Sequence, residues 1–352
     1  SSFIQTLLDD ADSSVARTTL GISDLYNPES RLVLNGDFAI DQPNGFGTEV
    51  AFAGSAIYAC DGYRLLGSGS GRFKVKTQAS TNLYSANCRA QTSLLITVTT
   101  AAASPGAGDF YVVRACIEGT RSGRLGYGLA TAANSVLRFF AKSSAAITLS
   151  GSIQNNAGNR SYPWSVALQA NTVTEVQIQI PGDTTGTWLS DVNTGIRLSF
   201  ALGCGSTYGG TANAWAATNY LGVSGAGLMA TINNTLEITG VDIIPGTVAP
   251  AIYIPPDPTH ETHRCKREYE KVPIAWSGQP GGGTQFSATA FSTEKRSTVA
   301  YTSSSFQDTD TTGLTVSSVS GTTAGPPQVL LSGAPVVGKR FALTAIGDAR
   351  LS

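Results

Sequence analysis

Apolar residues recur at every second position through most of this 352-residue chain. From position 31 onward the alternation is clear, as where Ile178 and Ile180 alternate with Gln177 and Gln179. A period of two places neighbouring side chains on opposite faces of a strand, so the pattern predicts half-buried β-strands. Further strands are predicted at 94–98, 111–114, 136–140, 196–202 and 236–241.

Clusters of Gly, Asn, Ser and Asp separate these segments, as at 154–159, and such clusters form turns. No helix-period segment of useful length separates consecutive strands, which argues against a parallel β-α-β architecture. We therefore expect an all-β protein whose main part is an antiparallel sandwich of the jelly-roll kind.

The clear helical pattern near the start lies within residues 1–24. Phe3, Leu7, Ala11 and Val15 recur every four residues. Short amphipathic helices cannot bury their apolar faces alone, and copies around a threefold axis would cover them. We expect this segment to attach the subunit to a particle and to pair in a homotrimer. The alternative is a cap that folds back on the next domain.

Prolines divide the rest of the chain. Residues 245–258 contain five prolines and are predicted to form an extended linker. A short helix should follow, with Thr259 as its N-cap and the polar run 260–271 behind it. The tail, 272–352, alternates again but is thin in apolar residues, which indicates a small β domain completed by neighbours. The predicted domains are 1–30 (helical attachment segment), 31–254 (jelly roll) and 255–352 (short helix and β knob).

Composition narrows the class of partner. Charged residues make up 13% of the chain and the net charge is −1, whereas nucleic acids and anionic membranes need a positive excess. No apolar run approaches the length of a membrane span, and we expect no membrane insertion and no secretory signal. The five cysteines lack CxxC spacing, which favours buried thiols made in a reducing bacterial cytoplasm.

Several segments resemble bacteriophage tail-fibre and virion spike proteins, a group also found in phage-like gene transfer particles. LLDDADSSVARTTLGI resembles their recurrent linker motif. LNGDFAIDQ and YACDGY resemble the opening of their carbohydrate-binding-module-like jelly roll. The later strands and the closing helix of that domain resemble the segments at 180–188, 238–241 and 265–271.

The resemblance follows nearly the whole chain in order, with two departures. Gly62 stands where an arginine is more usual after Asp61, and 242–244 reads DII where QLE is more usual. The resemblance implies trimers, a position on the exterior of a virion or phage-like particle, and glycan or host-surface binding. It supplies no shared list of ligand residues.

Enzyme signatures are nearly absent from the sequence. GxSxG and HExxH do not occur. Glycosidases need two carboxylates across a cleft, whereas Asp183 and Asp191 share one loop-rich stretch where aspartates usually form turns. His260 and His263 are weak metal candidates, and a solvated helical turn explains them better. We therefore expect no enzyme, no metal and no cofactor.

Sugar recognition requires exposed aromatic faces beside amides or carboxylates. Aromatic residues in Gly- and Asn-rich loops are the candidates, because strand aromatics such as Phe139 and Phe200 should be core. Each candidate could instead close the sandwich or fill a trimer seam. The candidate carbohydrate-binding residues are Tyr162, Trp164, Tyr208, Asn213, Trp215, Tyr220 and Trp276.

These observations favour a virion fibre or spike subunit that mediates attachment to host surface glycan or capsule. Its expected partners are copies of itself, a tail or capsid protein held through residues 1–24, and host surface polysaccharide. The first alternative is a structural decoration or adaptor protein without glycan binding. The second is a polysaccharide depolymerase spike.

Overall fold

The computed structural model describes residues 31–80 and 82–278, followed by five segments of the remaining chain. The predicted attachment segment, 1–30, lies outside the described residues. The later segments are 285–287, 300–304, 314–320, 328–333 and 339–350.

Twelve strands form the main body, and six of them contain the segments that the alternating pattern predicts. In chain order they are β1 Val50–Phe52, β2 Ile57–Cys60, β3 Tyr63–Ser68, β4 Arg72–Ala79, β5 Thr92–Thr100, β6 Phe110–Glu118, β7 Ser135–Ser143, β8 Ile147–Asn155, β9 Ser161–Leu168, β10 Val173–Ile180, β11 Thr194–Cys204 and β12 Thr235–Pro245.

These strands form two six-stranded sheets. The first sheet has the order β1-β4-β5-β12-β7-β10, and the second has the order β2-β3-β6-β11-β8-β9. Every pair of neighbouring strands within them is antiparallel. The chain crosses between the sheets repeatedly, so that β2, β4, β6, β7, β8, β10, β11 and β12 change sheet relative to the preceding strand. This is the antiparallel jelly-roll-type sandwich that the sequence predicts.

The core lies between the inner faces of the two sheets. Phe139 projects inward from the first sheet and meets Phe200 of the second, with ring centres 5.2 Å apart. Trp164 lies 5.5 Å from Phe139 and 5.7 Å from Phe200. The three side chains have exposed fractions of 0–1%, which confirms Phe139 and Phe200 as core residues.

The proline-rich segment after β12 is packed against the first sheet, so the prediction of an extended linker is wrong there. Tyr253 is fully buried and lies 6.4 Å from the ring of Phe140. Its backbone forms a bridge with Cys88, and Arg138 donates to the carbonyl of Pro250. A single buried aromatic residue thus anchors a segment whose proline content indicates an extended spacer.

Two α-helices occur in the described part of the chain: α1 at Gly119–Ser122 and α2 at Pro258–Glu268. The predicted helix is therefore confirmed, but its N-cap is Asp257 and not Thr259. The Asp257 carboxylate accepts from the backbone N–H groups of Thr259 at 2.9 Å and His260 at 3.1 Å. Pro258 occupies the first helical turn, where its missing N–H is not needed. Neither helix has the length and apolar content that crossing a bilayer requires.

Two three-stranded sheets follow α2, in agreement with the predicted β tail. Their strands are β13 Tyr269–Gly278, β14 Gln285–Ser287, β15 Ala300–Ser304, β16 Leu314–Ser320, β17 Gln328–Gly333 and β18 Lys339–Asp348. The strand orders are β13-β18-β15 and β14-β17-β16, and the domain boundaries themselves stay a prediction.

All five cysteines of the chain are free and buried, as the sequence predicts.

Candidate functional site

An open cleft lies along one side of the sandwich, where the outermost strands of the two sheets, β9 and β10, run beside each other. Its volume is about 660 Å³, within the roughly 300–1,000 Å³ of small-ligand sites. Both strands are sheet edges, so each carries one side that no further strand of its own sheet covers.

The lining of the cleft is rich in amides and hydroxyls. The side chains of Gln177, Gln179 and Asn213 are exposed there, and Glu175 is the one carboxylate among the lining residues. Apolar side chains of both strands complete the walls. The lining consists of Asn134, Tyr162, Ser165, Val166, Glu175, Val176, Gln177, Ile178, Gln179, Ile180, Pro181 and Asn213.

An aromatic cluster closes one end of the cleft. The Tyr162 ring, which lines the cleft, lies 5.1 Å from the ring of Trp215. Trp215 in turn lies 5.6 Å from Trp188 and 5.7 Å from Tyr127. The Trp215 indole N–H donates to the carbonyl of Pro181 at 2.9 Å, at the end of β10. The half-buried Trp215 therefore fixes its own loop to the wall of the cleft.

A buried ion pair supports the aromatic cluster from behind. The Asp183 carboxylate has an exposed fraction of 2% and accepts from Arg160 at 2.9 and 2.6 Å. It also accepts from the Trp188 indole N–H at 3.2 Å, while the Arg160 guanidinium lies 5.7 Å from the ring of Trp215. One carboxylate thus orients two members of the cluster.

The protonation state of Asp183 fits this supporting role. Burial alone would raise the pKa, but hydrogen bonds from Arg160 and Thr185 outweigh it and hold the pKa of Asp183 below its ordinary value. Asp191, in the same stretch, accepts from the backbone and side chain of Asn193. Both aspartates therefore stabilise turns and side chains, and Glu175 has no second carboxylate among the cleft's lining residues to form a hydrolytic pair.

The structure brings three of the predicted sugar-binding residues together. Tyr162 and Asn213 line the cleft, and Trp215 contacts Tyr162. Trp164 requires a correction, because its exposed fraction is 0% and it is packed in the core. The sequence interpretation placed Tyr162 and Trp164 in a Gly- and Asn-rich loop, but both lie in β9 together with Pro163. Proline is tolerated there because β9 is an edge strand.

Tyr208 and Tyr220 lie away from the cleft lining. Tyr208 is half-buried and packs edge-to-face on Phe110, with ring centres 4.9 Å apart. Tyr220 covers Gly210, where an added Cβ would lie 2.3 Å from the tyrosine ring. Trp276 belongs to β13, and its side chain lies outside the described part of the chain.

The two histidines do not assemble a metal site with the neighbouring cysteine. His260 and His263 are exposed on α2, whereas Cys265 is fully buried. Within the described residues, no three His, Cys, Asp or Glu side chains form a group that could hold a metal ion.

Several residues of the site were not predicted from the sequence. Gln177 and Gln179 were used only to recognise a strand, although polar residues alternating with Ile178 and Ile180 must face away from the core. Trp188 and Asn134 carry no such signal. Each lies in a separate loop, and only the fold brings those loops to the same end of the sandwich.

Comparisons with known proteins find similarity in solved structures. No family model and no curated protein matches the chain. The enzymatically active domain of tailspike protein 4 from bacteriophage CBA120 is 13% identical, with a TM-score of 0.32, covering 63% of this chain and 22% of that one. A carbohydrate-binding module of family 4 is 13% identical (TM-score 0.31; 60% and 99% covered). A family 11 module of Clostridium thermocellum is 10% identical (TM-score 0.28; 56% and 97% covered).

Proposed function

We propose that the chain binds an extended surface polysaccharide in the cleft between β9 and β10, as the receptor-binding subunit of a virion fibre or spike. The observation that carries the proposal is the combination of an amide-rich open cleft with an aromatic cluster at its end. The virion role rests on the sequence resemblance described above.

The chemistry of the cleft suits a neutral part of a polysaccharide. Amide groups such as those of Gln177 and Asn213 can donate to and accept from sugar hydroxyls. The half-buried Trp215 offers an aromatic surface for the apolar C–H faces of a sugar ring. Tyr162, which is only 3% exposed, packs against Trp215 from the core side and supports it. A single carboxylate, Glu175, leaves recognition to hydrogen bonds rather than to net charge.

The shape of the cleft favours a polymer over a single sugar. The lining follows β10 from Glu175 to Ile180, which corresponds to about 17 Å at the rise of an antiparallel strand. The cleft is also open along the sheet edges. A short stretch of an extended chain fits such a groove, and the rest of the polymer can continue into solvent along the open side of the cleft.

Binding in an open cleft of this kind is expected to be weak for one copy. A homotrimer, with many spikes on each particle, would raise the effective affinity without any new contact, because later binding events become intramolecular. We therefore include the homotrimer and its attachment through residues 1–24 in the proposal.

Affinity electrophoresis tests the proposal directly. Purified protein is run in gels containing host surface polysaccharide, and the wild type should be retarded. Gln177→Ala and Trp215→Ala should each lose most of the retardation. Gln78→Ala is the matched control, because Gln78 lies on β4 at the far side of the same sheet. Wild-type retardation in both cleft variants would contradict the assignment of the cleft.

Two further assays separate the alternatives. An adaptor protein would show no retardation in any polysaccharide gel and no adsorption to host cells. A depolymerase would release reducing ends from the polysaccharide during incubation. The proposed function predicts retardation, adsorption that Trp215→Ala lowers, and no release of reducing ends.

A further inference from the structure

Three arginine side chains lie beside one another on the outward face of the second sheet. Arg64 of β3 is directly opposite Arg114 of β6. Arg197 of β11 is one row further along, opposite Cys116 of β6. Directly opposed residues of antiparallel strands have Cβ atoms about 4.5–5.5 Å apart and diagonal neighbours about 7–8 Å, so the three arginine side chains leave the sheet from one small area.

The strand alternation explains why these side chains point away from the core. Leu65, Val113 and Leu198 are their sequence neighbours on the same three strands, and all three are buried between the sheets. The arginines therefore project to the opposite face, where each is half-buried.

The partners of the three guanidinium groups are all neutral. Arg114 donates to Ser199 Oγ at 3.1 Å and to the Gln154 side-chain oxygen at 3.3 Å. Arg197 donates to the Asn156 side-chain oxygen at 3.0 Å. Within the described residues, neither is paired with a carboxylate.

Arg64, like the other two arginines, has a neutral neighbour. Its guanidinium lies 5.3 Å from the ring centre of Tyr58 and forms no ion pair within the described part. Glu118 lies four residues beyond Arg114 on β6, and its carboxylate already accepts two hydrogen bonds from Arg267. Glu118, which shares β6 with Arg114, therefore does not balance the positive charge of the row formed by Arg64, Arg114 and Arg197.

This arrangement is unfavourable for folding. Like charges placed directly opposite each other on a sheet destabilise it. Burial is the main cause that lowers the pKa of Arg114 to about 10. The positive charges of Arg197 and Arg64 lower this pKa further, whereas an ionised Cys116 would raise it. Arginine side chains carry their positive charge at neutral pH, so the repulsion persists in the free protein.

Unused hydrogen-bonding groups lie at the same place. The Nε atoms of Arg64 and Arg197 and the hydroxyl of Ser152 are buried without a hydrogen-bond partner. Ser152 has an exposed fraction of 0% and is directly opposite Ser199, which in turn is opposite Arg114. Buried polar groups are nearly always hydrogen-bonded, so this group of exceptions needs an explanation.

We propose that the row formed by Arg64, Arg114 and Arg197 is a second binding site, which takes a carboxylate group of an acidic polysaccharide. A carboxylate would balance the excess positive charge and accept from guanidinium forks whose geometry it matches. The row is separated from the cleft, since β8 lies between β11 and the edge strand β9. The site goes beyond the proposed function, because it adds an anionic specificity that the amide-rich cleft lacks.

Polygalacturonate is a suitable probe, with dextran as the neutral polymer and dextran sulfate as the sulfated one. In affinity electrophoresis, Arg64→Gln and Arg114→Gln should each weaken polygalacturonate binding by about tenfold or more, since each removes a charged hydrogen-bond donor. Arg72→Gln on β4 is the matched control and should bind as the wild type does. Arg64→Gln should also melt at the same or a higher temperature, because it relieves repulsion.

The outcomes separate this site from the cleft. Gln177→Ala leaves the arginine row intact, so it should retain polygalacturonate binding even where it loses host polysaccharide. Unchanged polygalacturonate binding in Arg64→Gln and Arg114→Gln would overturn the proposal, as would an equal loss in Arg72→Gln. Binding of dextran sulfate without binding of polygalacturonate would overturn the assignment to carboxylates.

Discussion

The ion pair behind the aromatic cluster gives the sharpest test of how the site is held together. In Asp183→Asn the side chain keeps its shape but loses its charge. The carboxylate accepts two hydrogen bonds from Arg160, two from Thr185 and one from Trp188. The amide can accept through one oxygen only, and the Arg160 charge then lacks its partner.

The magnitude follows from the burial of the pair. Removing one partner of a fully buried pair costs about 3–5 kcal/mol. The Arg160 side chain keeps an exposed fraction of 16%, so water can solvate part of the abandoned charge. We therefore expect Asp183→Asn to lower the free energy of unfolding by about 2–3 kcal/mol.

Urea denaturation followed by tryptophan fluorescence measures this change. Asp191→Asn is the matched control in the same stretch; Asp191 is exposed, and its variant should stay within about 0.5 kcal/mol of the wild type. A change in Asp183→Asn no larger than that of the control would refute the supporting role of the ion pair.

The same variant carries a pH signature. The pKa of Asp183 is lowered in the folded state, so its contribution to stability is complete above the unfolded pKa and is lost as the pH falls through the folded pKa. The difference between wild type and Asp183→Asn should be full at pH 7 and should shrink below about pH 4.

Three other perturbations test the fold around the site. Gly36→Ala should destabilise by about 1–3 kcal/mol, measured by urea denaturation, because the added Cβ would lie 2.1 Å from the carbonyl oxygen of Val241. Glu118→Gln should cost about 1–3 kcal/mol in the same assay, because a carboxylate with 0% exposure loses its charge beside Arg267. Burial raises the pKa of Asp61 from 3.8 to about 7, so the melting temperature should fall as the pH rises from about 4 to about 7. Asp61→Asn should flatten the slope of melting temperature against pH. An equal slope in the variant and the wild type would contradict this assignment of the slope to Asp61.

The alternating pattern was sufficient to predict the sandwich but not the details of its edges. Ile178 and Ile180 identify β10 because burial on one face requires a period of two. The start of β9 was assigned to a loop because a Gly- and Asn-rich segment precedes it, and the sequence does not show that the strand already begins at Ser161. The N-cap position was misassigned for a local reason, since Asp257 and Thr259 are both competent caps.

The site could be predicted only in part, because the fold brings together residues that are distant in the sequence. Loop aromatics such as Trp215 were found by composition, whereas Trp164 was wrongly included because burial depends on the opposite sheet. Arg64, Arg114 and Arg197 become neighbours only through the strand order β3-β6-β11. No local motif marks them, and nothing in the sequence around each arginine distinguishes it from an ordinary surface residue.

Hydrogen–deuterium exchange with and without host surface polysaccharide tests the central claim most directly, because it locates the ligand along the backbone. A polymer seated in the cleft should slow exchange at residues 162–166 of β9 and 175–180 of β10, the two edge strands that line it. Residues 72–79 of β4, at the far side of the same sheet, should exchange at an unchanged rate. Unchanged exchange in both edge strands at saturating polysaccharide would contradict the assignment of the cleft as the binding site.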